Sequence, residues 1–257
     1  MMTLSEMAGK YALVTGGSSG IGAAIANELA AAGANIILVA RASDRLEQTA
    51  AGLSQNHGVT VETIASNLHS PGAASELIAK VAEAGIDIEM LVNSEGMSSK
   101  DLVAESEPAI LKQLVDLNVG ALTELTTMVV ADMVRRGHGA IINVASTGAY
   151  SPAPLLAAYA ASKAYVLSFT QALWAETRDS GVRVVAVCPG PTLTPMNSAP
   201  ARGKRQPEQV AWTALSALEA NGPAVIDGGM NKASALLARL LPPRFMAPLA
   251  MRMLQPK

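Results

Sequence analysis

Short runs rich in β-branched residues alternate with longer helical patterns along almost the whole chain, and this alternation constrains the fold most. Strands are predicted at residues 11–15, 35–40, 59–65, 88–93, 140–146, 182–188 and 224–226. Helices are predicted between them, at residues 21–32, 44–55, 73–84, 107–136, 157–179 and 207–220. Apolar strands separated by helices form parallel sheets that are covered on both faces. We therefore predict an α/β fold with a doubly wound parallel sheet of seven strands.

The composition fits one large domain, because half of the 257 residues are hydrophobic and only 16% are charged. A net charge of −2 provides no positive potential that would attract a polyanion, and 3% aromatic residues provide few side chains on which bases could stack. No nucleic acid partner is therefore expected. The single cysteine, Cys188, cannot form an internal disulfide, and we expect a reducing compartment, the cytoplasm. The three histidines have no ligand-like spacing, so no metal site is expected.

A glycine-rich turn joins the first predicted strand to the first predicted helix. Glycines allow a tight turn and a close approach of the backbone to a diphosphate, which the N–H groups of a helix N-terminus attract. An ordinary strand-to-helix turn is the alternative, but the place of this turn after a first strand favours dinucleotide binding. The residues expected to bind are Gly16, Ser18, Ser19, Gly20, Ile21 and Gly22.

The end of the second predicted strand carries Arg41 and no acidic residue. An acid at this position would bind the ribose hydroxyls of NAD(H), whereas an arginine can pair with the 2′-phosphate of NADP(H). The first acid is Asp44, inside the next helix. We expect NADP(H) to be preferred over NAD(H), the alternative being that Arg41 is a solvated surface residue.

A tyrosine and a lysine lie four residues apart near the start of a long predicted helix, at Tyr159 and Lys163. This spacing places both side chains on one helical face. A neighbouring ammonium group favours a tyrosinate, so we expect the pKa of Tyr159 to be lowered and Tyr159 to act as a general acid and base. Ser146 lies thirteen residues upstream, at the end of a predicted strand. An exposed helical pair is the alternative for so short a motif.

With these residues in this order, the sequence resembles the short-chain dehydrogenase/reductase family, in its single-domain branch of about 250 residues. The resemblance covers residues 10–229 and includes two further motifs, Leu117-Asn118-Val119-Gly120 and Cys188-Pro189-Gly190-Pro191-Thr192. It implies a Rossmann-like fold and an oxidoreductase that interconverts a ketone and a secondary alcohol. Within the family, the chain looks most similar to reductases of the 3-oxoacyl and 17β-hydroxysteroid type.

The resemblance also implies a role for each matching residue. Tyr159 would exchange a proton with the substrate oxygen, which Ser146 would hydrogen-bond. Lys163 would bind the nicotinamide ribose, and Asn118 would hold a water that completes a proton path. Further cofactor contacts would come from Asn67, Leu68, Asn93, Gly96, Pro189, Gly190 and Thr192.

The sequence departs from the family pattern at two places. The usual Asn-Asn-Ala-Gly is replaced by Asn93-Ser94-Glu95-Gly96, which puts a carboxyl group near the expected cofactor channel. Glu95 either points to solvent or weakens cofactor binding by repulsion with the diphosphate, and both alternatives stay open. The usual aspartate after the third strand is Asn67, which we regard as a benign change because an amide also donates and accepts hydrogen bonds.

The loops expected to line the substrate pocket, residues 94–103, 147–156 and 191–205, are mostly apolar. They favour an apolar substrate, and the proline-rich third loop is predicted to be mobile. The family pairs the helices at 107–136 and 157–179 across a dimer axis, so we expect a homo-oligomer, a dimer or tetramer.

The last segment, residues 231–257, has five basic residues, no acidic residue and many apolar ones. Two interpretations of this basic, amphipathic C-terminal extension stay open. The segment makes weak contact with an anionic membrane surface, or it packs over the pocket as a cap with solvated basic residues. A function of a different class also stays open, a catalytically silent NADP-binding sensor or interaction protein with the same fold.

Overall fold

The structure is a computed structural model that describes residues 4–41, 43–199 and 203–254. Its strands form one parallel sheet in the order β3-β2-β1-β4-β5-β6-β7. Their bounds are β1 Tyr11–Thr15, β2 Asn35–Ala40, β3 Val61–Ala65, β4 Ile88–Asn93, β5 Gly139–Val144, β6 Val182–Cys188 and β7 Ala224–Ile226. The predicted doubly wound, seven-stranded fold is confirmed.

Helices follow each of these strands, and two helices follow the last strand at the C-terminal end of the described chain. Their bounds are α1 Gly20–Ala31, α2 Asp44–His57, α3 Ala73–Glu83, α4 Pro108–Val115, α5 Leu122–Arg136, α6 Ala157–Glu176, α7 Pro207–Ala220, α8 Gly229–Leu240 and α9 Pro243–Leu254. The single helix predicted at 107–136 is divided, because a π-helical segment, Asp116–Ala121, lies between α4 and α5. The strand predicted at 140–146 is shorter and ends at Val144.

The sheet buries both faces, since successive strand residues point to opposite sides. Val14 and Leu38 belong to the core under α1 and α7, whereas Leu13 and Ile37 belong to the core under α3 and α5. All four side chains are fully buried. Burial of each such side chain contributes about 1.5–3 kcal/mol, so the two cores fix the positions of the strand ends that carry the site.

The helix α4, the π-helical segment and the helix α5 form one helical run, residues 108–136. By length and composition alone, this run is long and apolar enough to cross a membrane. In this fold the run packs on the sheet, where Leu125, Val129 and Met133 are buried. Burial of one face against β-strands is the behaviour of a core helix in a globular protein.

The strand order reverses beside β1, which has β2 on one side and β4 on the other. Thr15 at the end of β1 is in register with Val39 and Asn93. The connections that leave β1 and β4 run to opposite sides of the sheet, so a crevice opens between their carboxyl ends. Ligands of open α/β sheets bind at such a switch point.

The described parts of the loop at 191–205 are anchored at both ends. Backbone hydrogen bonds connect Arg205 to Pro191 and Leu193, at 2.9 Å each. The Arg205 guanidinium also donates two hydrogen bonds of 2.9 Å to the fully buried Asp227 carboxylate. Residues 200–202, within the loop predicted to be mobile, lie outside the described residues.

Candidate active site

A cleft of about 1190 Å³ opens at the carboxyl edge of the sheet, over the crevice beside β1. Its walls come from the β1–α1 turn, the β2–α2 connection, the ends of β4 and β5, the start of α6 and the loop after β6. The predicted site residues that line it are Gly16, Ser18, Ser19, Gly20, Ile21, Arg41, Gly96, Ser146, Tyr159, Lys163, Pro189, Gly190 and Thr192.

The β1–α1 turn requires glycine at two of its positions. Gly16 has φ +65°, and a Cβ atom there would lie 2.9 Å from the Cα atom of Glu95. A Cβ atom at Gly22 would lie 2.5 Å from the Gly16 carbonyl oxygen, so Gly22 allows α1 to start close to the turn. The Ser19 side chain makes no capping hydrogen bond to α1. This narrow backbone cradle before a helix N-terminus fits a dinucleotide diphosphate.

Two arginines line the end of the cleft beside β2. Arg41 follows the strand and is exposed, and Arg45 lies in the first turn of α2. Asp44 lines the same region, so the cleft carries one acid and two bases here. Sequence analysis missed Arg45, whose signal was a second arginine four residues after Arg41, at the start of the predicted second helix.

Ser146, Tyr159 and Lys163 meet in the middle of the cleft. Ser146 lies beyond β5, where its Oγ accepts a hydrogen bond of 3.1 Å from the Gly148 N–H and where its hydroxyl hydrogen-bonds Tyr159. The Lys163 Nζ lies 5.9 Å from the centroid of the Tyr159 ring and donates a 2.8 Å hydrogen bond to the Val144 carbonyl. The strand end thus positions both the serine and the lysine against the tyrosine.

The expected lowering of the Tyr159 pKa is wrong for this arrangement. Burial raises the pKa of Tyr159, and the Ser146 hydrogen bond opposes that rise. Burial also lowers the pKa of Lys163 to about 8, so it is the pKa of the lysine, and not that of the tyrosine, that moves towards neutral pH. Desolvation disfavours the charged form of both groups, which residue spacing alone could not reveal. Tyr159 therefore keeps its proton at neutral pH and is ready to donate it.

Asn118 lies in the π-helical segment between α4 and α5, and π-helical turns are frequent at functional sites. Its Oδ1 accepts a 2.9 Å hydrogen bond from the Met97 N–H, and its Nδ2 donates to the Met97 carbonyl and to Ser162 Oγ, at 3.0 Å each. A Cβ atom at Gly96 would lie 3.2 Å from Asn118 Oδ1 and 3.6 Å from Lys163 Nζ. Gly96 therefore leaves open the space that connects the amide and the lysine.

Four residues predicted to contact the cofactor do not line the cleft in the structure. Asn93 is buried and donates hydrogen bonds to Thr126 and Asn143, so it ties neighbouring elements together. Leu68 is a core residue, and the Asn67 amide donates to Ser70 beside α3. Gly22, described above, packs against the turn and also lies outside the lining.

Glu95 lies in the cleft wall, and the alternative of a fully solvated side chain is wrong. Its Oε2 is buried without a hydrogen-bond partner among the described residues, while its N–H donates to Thr15 Oγ1 at 3.2 Å. Burial raises the pKa of Glu95 to about 7, and the positive charge of Arg41 opposes that rise. The carboxyl group is therefore half-protonated near neutral pH, in the same cleft as the glycine turn.

Apolar side chains also line the cleft, among them Leu156, Met196 and Leu254. Leu254 belongs to α9, so the C-terminal extension contributes one side chain to the cleft wall, and its interpretation as a cap stays a prediction. A second cavity of about 570 Å³ lies beside the start of α6. Its lining includes Ala149, Tyr150, Pro152 and Pro154, which were expected at the substrate pocket.

Cys188 is buried at the end of β6, and the Tyr150 hydroxyl lies 3.6 Å from its Sγ. Burial raises the pKa of the Cys188 thiol to about 11. A thiol that stays protonated at neutral pH is a poor nucleophile, in keeping with the core position expected for it.

Comparison with known proteins matches residues 10–204 to the family model described as short chain dehydrogenase. An uncharacterized oxidoreductase of Staphylococcus saprophyticus is 34% identical over 217 residues, which cover 83% of this chain and 93% of that protein. The very-long-chain 3-oxoacyl-CoA reductase of Bos taurus is 34% identical over 216 residues, which cover 82% of this chain and 69% of that protein. A short-chain dehydrogenase from Sphingobium yanoikuyae, solved in complex with NADPH, is similar with a TM-score of 0.81 and 30% identity, over 88% of this chain and 92% of that chain.

Proposed function

Because the chain belongs to the short-chain dehydrogenase/reductase family, we propose that it is an NADP(H)-dependent enzyme that interconverts a ketone and a secondary alcohol on an apolar substrate. The observation that carries this proposal is the meeting of Ser146, Tyr159 and Lys163 in one cleft with the glycine turn. A proton donor, a hydrogen-bonding hydroxyl and a dinucleotide cradle are the parts that such a reaction needs.

The preference for NADP(H) over NAD(H) is supported by Arg41 and Arg45 at the β2 end of the cleft. A 2′-phosphate pairs favourably with guanidinium groups. The related dehydrogenase from Sphingobium yanoikuyae holds NADPH in its structure. Gly16, Ser18, Ser19 and Gly20 would hold the diphosphate at the N-terminus of α1. The bound nicotinamide would supply the hydride for reduction or accept it in oxidation.

Tyr159 is proposed as the residue that donates a proton to the carbonyl oxygen during reduction. Ser146 would hold the same oxygen, because its hydroxyl is already within hydrogen-bonding reach of Tyr159. Lys163, whose pKa is about 8, is partly able to release a proton near neutral pH and would resupply the tyrosine. Asn118, which contacts Ser162 one residue before Lys163, would hold the outer end of this path. A phenol that keeps its proton is in the form that the reduction step requires.

The apolar substrate is supported by Leu156, Met196 and Leu254 in the wall of the cleft. Among the relatives, the Bos taurus protein is a very-long-chain 3-oxoacyl-CoA reductase. An acyl- or steroid-like ketone would place its carbonyl at Tyr159 and its apolar body against these side chains, whose burial contributes about 25 cal/mol per Å².

Three further properties are part of the same proposal. The protein would be cytoplasmic, as its single cysteine indicates. It would form a dimer or tetramer through α4, α5 and α6, on which Val115, Val134 and Tyr165 are exposed. Light scattering at micromolar concentration tests this assembly, and a monomer would contradict it. Its C-terminal extension would make weak contact with a membrane surface.

A panel of ketones of graded chain length, assayed with NADPH and NADH by absorbance of the reduced cofactor, tests the proposed reaction. We expect kcat/KM to rise with apolar chain length and to be higher with NADPH. Equal kcat/KM with the two cofactors would contradict the cofactor assignment. A preference for phosphorylated or acidic substrates would contradict the assignment of the pocket.

A further inference from the structure

The two C-terminal helices expose an unusual number of large apolar side chains. On α8, Leu236 is 61%, Leu237 55% and Leu240 72% exposed; on α9, Phe245 is 57% and Leu249 49% exposed. We call these five residues, together with Lys232, Arg244 and Arg252, the C-terminal face. Large apolar side chains that are exposed in such number on two consecutive helices mark a site that contacts a partner or a membrane.

The three exposed leucines of α8 lie on the side of the helix that faces away from the rest of the protein. Leu236, Leu237 and Leu240 share one face by their spacing of three and four residues. The opposite side carries Ala235, which is buried, and Asn231, whose Nδ2 donates a 2.7 Å hydrogen bond to the Asp227 carbonyl. The Asn231 side chain also occupies the space that a Cβ atom at Gly190 would fill. The inner side thus anchors α8 to the enzyme and fixes the leucines outward.

The charge of the C-terminal face indicates what kind of partner binds to it. Lys232, Arg244 and Arg252 are exposed beside the apolar side chains, and residues 231–257 contain no acidic residue. Arg244 lies 4.8 Å from the Phe245 ring, so one basic group is held next to an apolar one. An anionic lipid surface attracts such a face through its headgroups and takes up its apolar side chains. A second copy of the same face would instead bring like charges together.

We propose that the C-terminal face docks α8 and α9 on an anionic membrane surface. Leu254 at the end of α9 lines the cleft, so docking of α9 would bring the cleft close to the lipid from which an apolar ketone would come. Docking deepens the weak membrane contact named under the proposed function, and it rests only on the C-terminal face. The delivery of a ketone from the bilayer rests in addition on the proposed function.

Vesicle flotation of the full chain tests the docking. One vesicle set contains phosphatidylcholine alone, and the other contains about one third phosphatidylglycerol, which supplies the negative surface that attracts basic residues. We expect the protein to float with the anionic vesicles, to bind the neutral ones more weakly, and to be released by salt of about 0.5 M through screening. No binding to anionic vesicles at low salt would overturn the proposal.

Two double variants separate the apolar and the basic parts of the face. Leu236→Gln with Leu240→Gln should abolish flotation. Arg244→Gln with Arg252→Gln should lower the partition coefficient for anionic vesicles by about fivefold for each charge and leave neutral vesicles unaffected. Equal binding by the wild-type chain and both double variants would overturn the proposal.

Matched control variants remove similar groups elsewhere on the surface. Trp212→Gln removes an apolar side chain that is exposed on α7, and Lys80→Gln with Arg135→Gln removes two exposed charges. These variants should float like the wild type, and a loss as large as in the C-terminal variants would overturn the assignment of the surface. Concentration-dependent dimerisation that the leucine variants abolish, without vesicle binding, would identify a second copy as the occupant and overturn the lipid proposal.

Cofactor binding and turnover distinguish a failure of docking from a failure of the proposed function. All variants should bind NADPH with the wild-type Kd, which also shows that they fold. Flotation without reduction of any ketone would contradict the proposed function and leave docking supported. Reduction of ketones without flotation would overturn docking alone.

Discussion

Replacing Glu95 by glutamine removes a carboxyl group whose ionisation the fold opposes. Burial raises the pKa of Glu95 from 4.5 to about 7. At about 1.4 kcal/mol per pKa unit, this shift changes the free energy of unfolding by about 3 kcal/mol between low and high pH. The folded protein binds the proton more tightly than the unfolded chain does. The wild type therefore loses this stability as pH rises from about 4.5 to 7, and the loss is complete above pH 7. The Glu95→Gln variant does not undergo this loss.

Urea denaturation of both proteins at a series of pH values measures the difference. We expect the stability advantage of Glu95→Gln to grow by roughly 2–3 kcal/mol between pH 5 and pH 8. The variant should also bind NADPH more tightly than the wild type at pH 8 and equally at pH 5, because only the ionised carboxylate repels a diphosphate. Glu105→Gln, at an exposed position, serves as control. A stability difference that does not change with pH would refute the reasoning.

Two other substitutions test the β2 end of the cleft and the anchor of the loop at 191–205. Arg41→Ala should weaken NADPH binding by about 10- to 140-fold, the equivalent of about 1.5–3 kcal/mol for a charge-assisted contact, and should leave the Kd of NADH unchanged. Fluorescence titration measures both Kd values. Equal losses of affinity for the two cofactors would contradict the pairing of Arg41 with the 2′-phosphate. Asp227→Asn should lower the free energy of unfolding by about 3 kcal/mol, because it leaves Arg205 without its buried partner. Urea titration beside the exposed control Asp179→Asn measures this loss, and equal effects of the two changes would contradict the anchoring role.

The sequence predicted the sheet well because its strands are short β-branched runs bounded by clear turns. The first and last residues of five strands agree with the prediction, namely those of β1, β2, β4, β6 and β7. Such runs are buried on both faces, so local composition and tertiary burial favour the same structure. The π-helical segment around Asn118 was not predictable, because its residues keep a helical pattern and only the hydrogen bonds change.

Site residues on consecutive strand ends were predicted for a similar reason, since parallel topology brings those ends together. The pKa of Tyr159 was predicted in the wrong direction, because spacing reveals a neighbouring lysine but not the burial of the phenol. Arg45 and Leu254 reach the cleft through the orientation of α2 and the return of α9, which depend on packing between distant segments. The placement of Glu95 in the cleft wall depends equally on its contact with the turn at Gly16.

The Tyr159→Phe variant tests most directly whether the buried phenol carries the proton in a redox reaction. Its kcat/KM for ketone reduction and its Kd for NADPH are measured beside those of Tyr165→Phe, a matched change at an exposed position on the same helix. Loss of the general acid predicts a fall in kcat of about 10²- to 10⁴-fold with an unchanged Kd, and wild-type behaviour for the control. Full turnover by Tyr159→Phe would contradict the account.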